Sequence, residues 1–183
     1  MASIITATVA SGLTQSADNS GVLQLASGTG NLVTVPSVTG TAMVSGNMPA
    51  FAARRTTNQS LTSATYTKVQ LTTEDFDTAN CFDNSTNYRF TPNVAGYYQI
   101  NTSMSLEPTS GSGTIFLGLI YKNGSEFFRA WDSRASATLN ASSGSILMYF
   151  NGTTDYIELY AYIQGTTPII TVAYLNGCLA RAA

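Results

Sequence analysis

Residues 96–106 read GYYQINTSMSL, and from Tyr98 onward the even positions Tyr98, Ile100, Thr102, Met104 and Leu106 are mostly apolar while the odd ones are all polar. A period of two over this length describes a strand with one buried and one wet face. No long window of the chain repeats apolar residues at helical spacing, helix formers are sparse, and β-branched and aromatic residues are plentiful. An all-β fold follows. Candidate strands lie at 50–55, 67–72, 88–90, 96–106, 114–122, 125–132, 145–150, 156–163 and 169–179, separated by Asn-Gly, Gly-Ser and Pro turns. Eight or nine such strands suit a two-sheet jelly roll.

Charge excludes whole classes of function. Eight Lys and Arg stand against ten Asp and Glu, for a net charge of -2, and no basic run is denser than Arg54-Arg55. That leaves no electrostatic footprint for a phosphate backbone. The opening MASIITATVASG has no basic leader, and no apolar run approaches the roughly 20 residues that span a bilayer. Neither export by a signal peptide nor membrane anchoring is expected. Ser, Thr, Asn and Gly supply the polar surface, which makes it neutral and rich in hydrogen-bonding groups.

Composition shifts near residues 47–48. Before it Asp18 is the only charged side chain, and short apolar pieces alternate with turn residues. Residues 22–25 and 32–35 alternate as narrow strands, yet carry too few large side chains to make a core. Residues 1–47 are therefore expected to be an arm that orders on assembly, and 48–183 the globular head.

Chemistry-bearing residues are few. There is no histidine, which removes the Ser-His and Cys-His nucleophile schemes. Glu158 with Asp155 is a candidate carboxylate pair, but both lie on one strand with no cleft evident between them. Glu74, Asp75, Asp77 and Asp83 form a weak candidate calcium set, lacking the alternation and turn glycine of a dedicated loop. No enzyme activity and no cofactor are expected. Cys81 and Cys178 read as free thiols, Cys178 as a buried strand residue. Six Asn-x-Ser/Thr triplets, beginning at Asn58, Asn84, Asn101, Asn123, Asn140 and Asn151, arise by composition.

The strand 155–163, DYIELYAYI, has two faces. Ile157, Leu159, Ala161 and Ile163 form an aliphatic side that should enter a sandwich core, while Tyr156, Glu158, Tyr160 and Tyr162 form the other. Tyrosines bury area while their hydroxyls stay partnered, so Tyr156, Tyr160 and Tyr162 are expected to form a self-association interface.

The strand-turn pattern resembles the C1q-like globular head, a jelly roll related to tumour necrosis factor. Phe90, Pro92, Gly96 and Tyr98 match the family's pattern around its central strand, Tyr121-Lys122-Asn123-Gly124 its hairpin, and residues 172–179 its closing strand. The resemblance covers about residues 48–181 and gives Phe90, Pro92, Gly96, Tyr98, Asn123 and Gly124 fold-keeping roles. It departs at Asn151-Gly152-Thr153-Thr154-Asp155, two residues longer than the family's Gly-Asp turn. It implies a homotrimer with the tyrosine strand near the threefold axis. A trimerising head, a nearly uncharged arm and an extracellular-style surface without an export signal together suggest a virion surface protein of a tailed bacteriophage, made in the bacterial cytoplasm and released by lysis. The arm would hold other virion proteins, and the head would be a knob of a fibre, a spike or a capsid decoration, with host-surface glycan a candidate ligand and Tyr66 and Trp131 candidate sugar-stacking aromatics. The competing reading is a soluble extracellular C1q-like ligand or lectin.

Overall fold

The computed structural model describes residues 23–26, 32–35 and 48–183, and among these every regular element is a strand. β1 (Leu23–Ala26) and β2 (Leu32–Val35) pair antiparallel, with Leu23 opposite Val35. They fall in a unit, Met1–Ala42, separate from the unit Met43–Ala183 that holds the other ten strands. The rest of the expected arm lies outside the described residues.

In the head, short strands β3 (Ala50–Arg55), β4 (Gln59–Ser60), β5 (Thr67–Lys68), β6 (Thr73–Asp77), β7 (Phe82–Asp83) and β8 (Arg89–Phe90) precede four longer ones. These are β9 (Gly96–Lys122), β10 (Ser125–Ser133), β11 (Asn140–Phe150) and β12 (Ile157–Ala182). β9 and β12 run antiparallel along their whole length, from Lys122 opposite Ile157 to Gly96 opposite Ala182. The sequence suggests a break at 107–113 and another at 164–168, where Pro and Gly cluster. Instead the ladder passes through: Pro108 faces Pro168, so neither ring removes a donor the other side needs, and a register shift between Gln164 and Thr166 absorbs the bend.

That bent ribbon builds both layers of the sandwich. Its 96–106 and 172–182 halves are flanked by β11 on one side and by β3 then β6 on the other. Its 115–122 and 157–164 halves are flanked by β10 on one side and by β5 and β8 on the other, with β7 paired to β8. Side chains from both halves enter one core: Tyr98, Ile100, Met104 and Leu106 from the first, Phe116, Ile120, Ile157, Leu159, Ala161 and Ile163 from the second. The even-numbered face expected of 98–106 is buried to within 3% at every position.

Aromatic packing fixes the centre. Phe51 stacks on Phe90 at 4.0 Å and on Phe82 at 5.3 Å, while Tyr98 and Phe150 meet Phe90 edge-on at 5.7 and 5.9 Å. Offset and edge-on pairs add roughly 0.5–1.5 kcal/mol each beyond burial. Tyr98, wholly buried, donates its hydroxyl proton to the Val94 carbonyl at 2.8 Å, so the core carries no orphaned phenol there. Pro92 is buried beside this cluster, and a Cβ at Gly96 would stand 2.7 Å from Leu179 Cδ1, which is why glycine opens β9.

The β9–β10 hairpin turns at Asn123 and Gly124, both at positive φ (52° and 82°), as a tight type I′ turn requires. Asn123 also reaches across to the next loop, donating Nδ2 to Asp155 at 2.8 Å and accepting the Tyr156 amide at 3.0 Å. The longer 151–155 loop is held by its own side chains. Asn151 Oδ1 accepts the amides of Thr153, Thr154 and Asp155, and Lys122 pairs with Asp155 at 2.9 Å.

Candidate interaction surfaces

The register of the second layer sets out the tyrosine strand's outward side in rows. Across β10, β9 and β12 the first row is Glu126, Tyr121 and Glu158, the second Arg129, Leu119 and Tyr160, the third Asp132, Leu117 and Tyr162. Leu117 and Leu119 point away from the main core yet are only 2% and 0% exposed. Aromatic rings cover them: Tyr121 stacks on Tyr160 at 3.9 Å and 15°, and Tyr66, from the loop before β5, leans on Tyr162 at 4.9 Å. The tyrosines expected to await a partner thus already have intrachain neighbours, and Tyr156, Tyr160 and Tyr162 are half-buried within the subunit. Arg89 lies over the Tyr156 ring at 4.5 Å.

Charges frame this strip in compensated pairs. Arg129 binds Glu126 and Asp132, each at 2.9 Å, and Arg134 binds Asp132 at 2.9 Å. On the other flank Lys68 meets Glu158 at 2.5 Å, with the Glu158 side chain only 6% exposed. Burial, with the Glu158 carboxylate close by, pushes the Tyr160 hydroxyl above the ordinary phenol range.

The outward face of the first layer is different in kind. Phe76, Tyr97, Leu147, Tyr149 and Tyr174 are all 40% or more exposed and lie on this one face. One row crosses five strands as Phe76, Ala52, Asn176, Asn101 and Ser145, and the next runs Ala50, Cys178, Gln99, Leu147. Tyr97 and Tyr149 are register partners with rings 5.5 Å apart. Between the apolar groups runs a neutral polar band: Asn101 donates to Asn176 at 3.0 Å and Gln99 to Ser145 at 2.6 Å. Two adjoining open hollows of about 490 and 410 Å³ share Asn101 and Asn176. Sequence reading missed these residues because ILMYF at 146–150 is apolar on both parities and Tyr97 stands among polar neighbours.

The other candidate residues separate. The four carboxylates of the calcium set do not converge, and no group of three or more metal-ligating side chains forms among the described residues. Asp75 pairs with Arg54 at 2.7 Å. Asp77 accepts the amides of Ala79, Cys81 and Phe82, while Asp83 accepts those of Ser85, Thr86 and Asn87, holding its carboxyl well below the usual range. Their oxygens are committed to turns. Asp155 and Glu158 are instead each engaged in an ion pair, with Lys122 and Lys68 respectively. Both thiols are free, and Cys178, expected to be buried, is exposed, while Cys81 is buried. Leu175, Gly177 and Leu179 take the inward positions of β12, which turns residue 178 outward. Trp131 is 9% exposed and packs in the core, whereas Tyr66 is 44% exposed.

No protein-family model matches the sequence, and no curated protein matches it. Among solved structures, the globular domain of zebrafish complement 1qA superposes with a TM-score of 0.53 at 18% identity, over 74% of this chain and 98% of that domain. The PRD1 vertex protein P5 does so with a TM-score of 0.52 at 17% identity, over 72% and 96% of the two chains. At such identities the likeness concerns the fold, and the fold is the C1q-like jelly-roll head.

Proposed function

We propose that this chain is a structural or adhesive protein of a bacteriophage surface, a homotrimeric knob attached to other virion proteins through residues 1–47. The observation that carries the self-association is the first layer's outward face, with five large apolar or aromatic side chains at least 40% exposed on one sheet. Large side chains exposed together on one face of a small domain mark an interface. This reading puts the interface there rather than on Tyr156, Tyr160 and Tyr162; intrachain packing of the Tyr160 and Tyr162 rings supports the choice. Likeness to a vertex protein supports the virion setting, and the nearly uncharged arm supports an assembly role for residues 1–47. Likeness to a complement head favours the second reading, an extracellular binding module, to the same degree.

Light scattering of the full chain is expected to give a trimer mass. Leu147→Lys with Tyr149→Lys should reduce it to the monomer with the β-sheet circular dichroism intact, while Tyr162→Lys leaves the trimer whole. The exposed Cys178 thiol sits on the same face, so maleimide should label it faster in the Lys variant than in the trimer. A trimer that survives both Lys substitutions refutes the interface. Deleting residues 1–47 should leave a trimeric head that no longer joins particles; a head that still joins them removes the arm's role.

A further inference from the structure

The geometry points to the tyrosine strip of the second layer as a binding surface for a neutral saccharide chain. It deepens the adhesive reading above and uses that proposal in one respect: with the first layer facing the assembly, this strip faces outward once per subunit.

The chemistry is in the rows. Leu119 and Leu117 form a buried floor, Tyr121, Tyr160, Tyr162 and Tyr66 lie over it, and the three rows extend for about 13 Å along the strands. A sugar ring has an apolar C–H face and a rim of hydroxyls. Tyrosine answers both, with a flat ring for the face and a phenol for the rim. On the flanks, Arg129 with Glu126 and Asp132, and Lys68 with Glu158, put donors and acceptors beside the rings. A strip of aromatic rings with a few placed polar groups is how small-ligand sites combine area with orientation.

Charge selects the occupant. Counting Arg134, and Arg89 and Asp83 that continue the Glu158 row on β8 and β7, four cations stand against four carboxylates around the strip, so its flanks carry no net charge. A strongly anionic or cationic partner finds nothing to compensate it, whereas a hydroxyl-rich neutral chain finds hydrogen-bonding groups already held in place. A second copy of the chain fits the opposite sheet better, where the large side chains are more exposed and the hollows lie. Affinity per strip is expected to be weak, and three strips per trimer raise it by multivalency.

The test is retention of the purified full chain on immobilised dextran, mannan and galactan, with alginate and heparin as acidic controls. Binding to at least one neutral polysaccharide is expected, reduced about tenfold or more by Tyr66→Ser and by Tyr162→Ser, with melting temperature and oligomer mass unchanged. Leu147→Lys with Tyr149→Lys should weaken retention only through lost multivalency, leaving single-site affinity in solution as it was. Retention of no neutral glycan, retention on acidic polymers alone, or binding indifferent to Tyr66 and Tyr162 overturns the inference. Loss of oligomer mass in Tyr66→Ser or Tyr162→Ser overturns it as well, by showing that a second copy occupies the strip. Failure of the virion role leaves glycan retention on the isolated protein unaffected, so the two proposals fail separately.

Discussion

Gly118→Ala isolates one packing requirement of this fold and has a built-in reporter. Gly118 sits mid-strand in β9 opposite Trp131 of β10, and a Cβ there would stand 2.5 Å from Trp131 Cε2 and closer still to the neighbouring ring carbons. Ordinary contact begins at 3.4 Å, so the indole must retreat by at least 0.9 Å (3.4 less 2.5). It is a rigid ring, 9% exposed and part of the main core, with no flexible end to swing aside. Overpacking of this kind costs typically 1–3 kcal/mol, and about 2 kcal/mol corresponds to a loss of roughly 4–8 °C in melting temperature at this chain length. Trp131 is the only tryptophan, so its emission reads the displacement directly and should shift in the folded variant. Melting is followed by circular dichroism at a fixed protein concentration, because oligomerisation adds to apparent stability. In a Trp131→Leu background the same Gly118→Ala change should cost less than about 0.5 kcal/mol, since the clash is gone. Unchanged emission with a melting temperature within 1 °C of the parent would refute the packing argument, as would an equal cost in both backgrounds.

Two further predictions concern the charged groups. Asp83 accepts three backbone amides, so its folded-state pKa is depressed; its contribution is present above the unfolded value near 4 and is lost as pH falls through the folded one. Solvent screening at this turn limits it to about 1 kcal/mol, and urea unfolding between pH 5 and pH 2 should show a shallower loss for Asp83→Asn than for the parent. Replacing Glu158 by Leu leaves the Lys68 ammonium with only the Asn87 carbonyl, at 3.3 Å, but that side chain is 33% exposed and can turn to water. The cost should be about 1–2 kcal/mol rather than the 3–5 kcal/mol of a fully buried pair, and adding Lys68→Met should recover most of it; a double variant no more stable than the single one contradicts this.

Much of the fold was legible because parity and turn chemistry are local. Alternation from Tyr98 to Leu106 named the buried side correctly, Asn123-Gly124 named the hairpin, and Ile157 to Ile163 named the aliphatic side of β12. What was not legible depends on cross-strand partners. Pro108 and Ser110 read as loop, and only their pairing with Pro168 and Thr166 makes them ladder. Gly144 hides the early start of β11 at Asn140, because a glycine reads as a break until Ala130 of β10 is seen packed against it. Parity alone would have turned Cys178 outward, since Leu175 and Leu179 bracket it on the other face; the signal was present and the apolar character of cysteine obscured it.

The surfaces carry the same lesson one level up. DYIELYAYI shows from sequence that tyrosines line one side of a strand, but whether a tyrosine row is a free surface depends on what the neighbouring strands place beside it. Here β9 contributes Leu117, Leu119 and Tyr121, and the loop before β5 contributes Tyr66, so the row becomes a floored strip with partly satisfied rings. On the opposite layer Tyr97 lies between Tyr149 and Arg181, and Tyr174 between Ser103 and Arg54, and these neighbours leave all three tyrosines 40% or more exposed. Two sheets of one sandwich therefore present faces of opposite character: one with large side chains exposed above a neutral amide band, the other with rings lying over leucine and edged by ion pairs. The proposed adhesive head would use both, one face to join its copies and another left open once they have joined. In a chain with only 18 charged residues, six of them form the ion pairs that flank the tyrosine strip, and opposite charges set side by side there largely cancel one another's field.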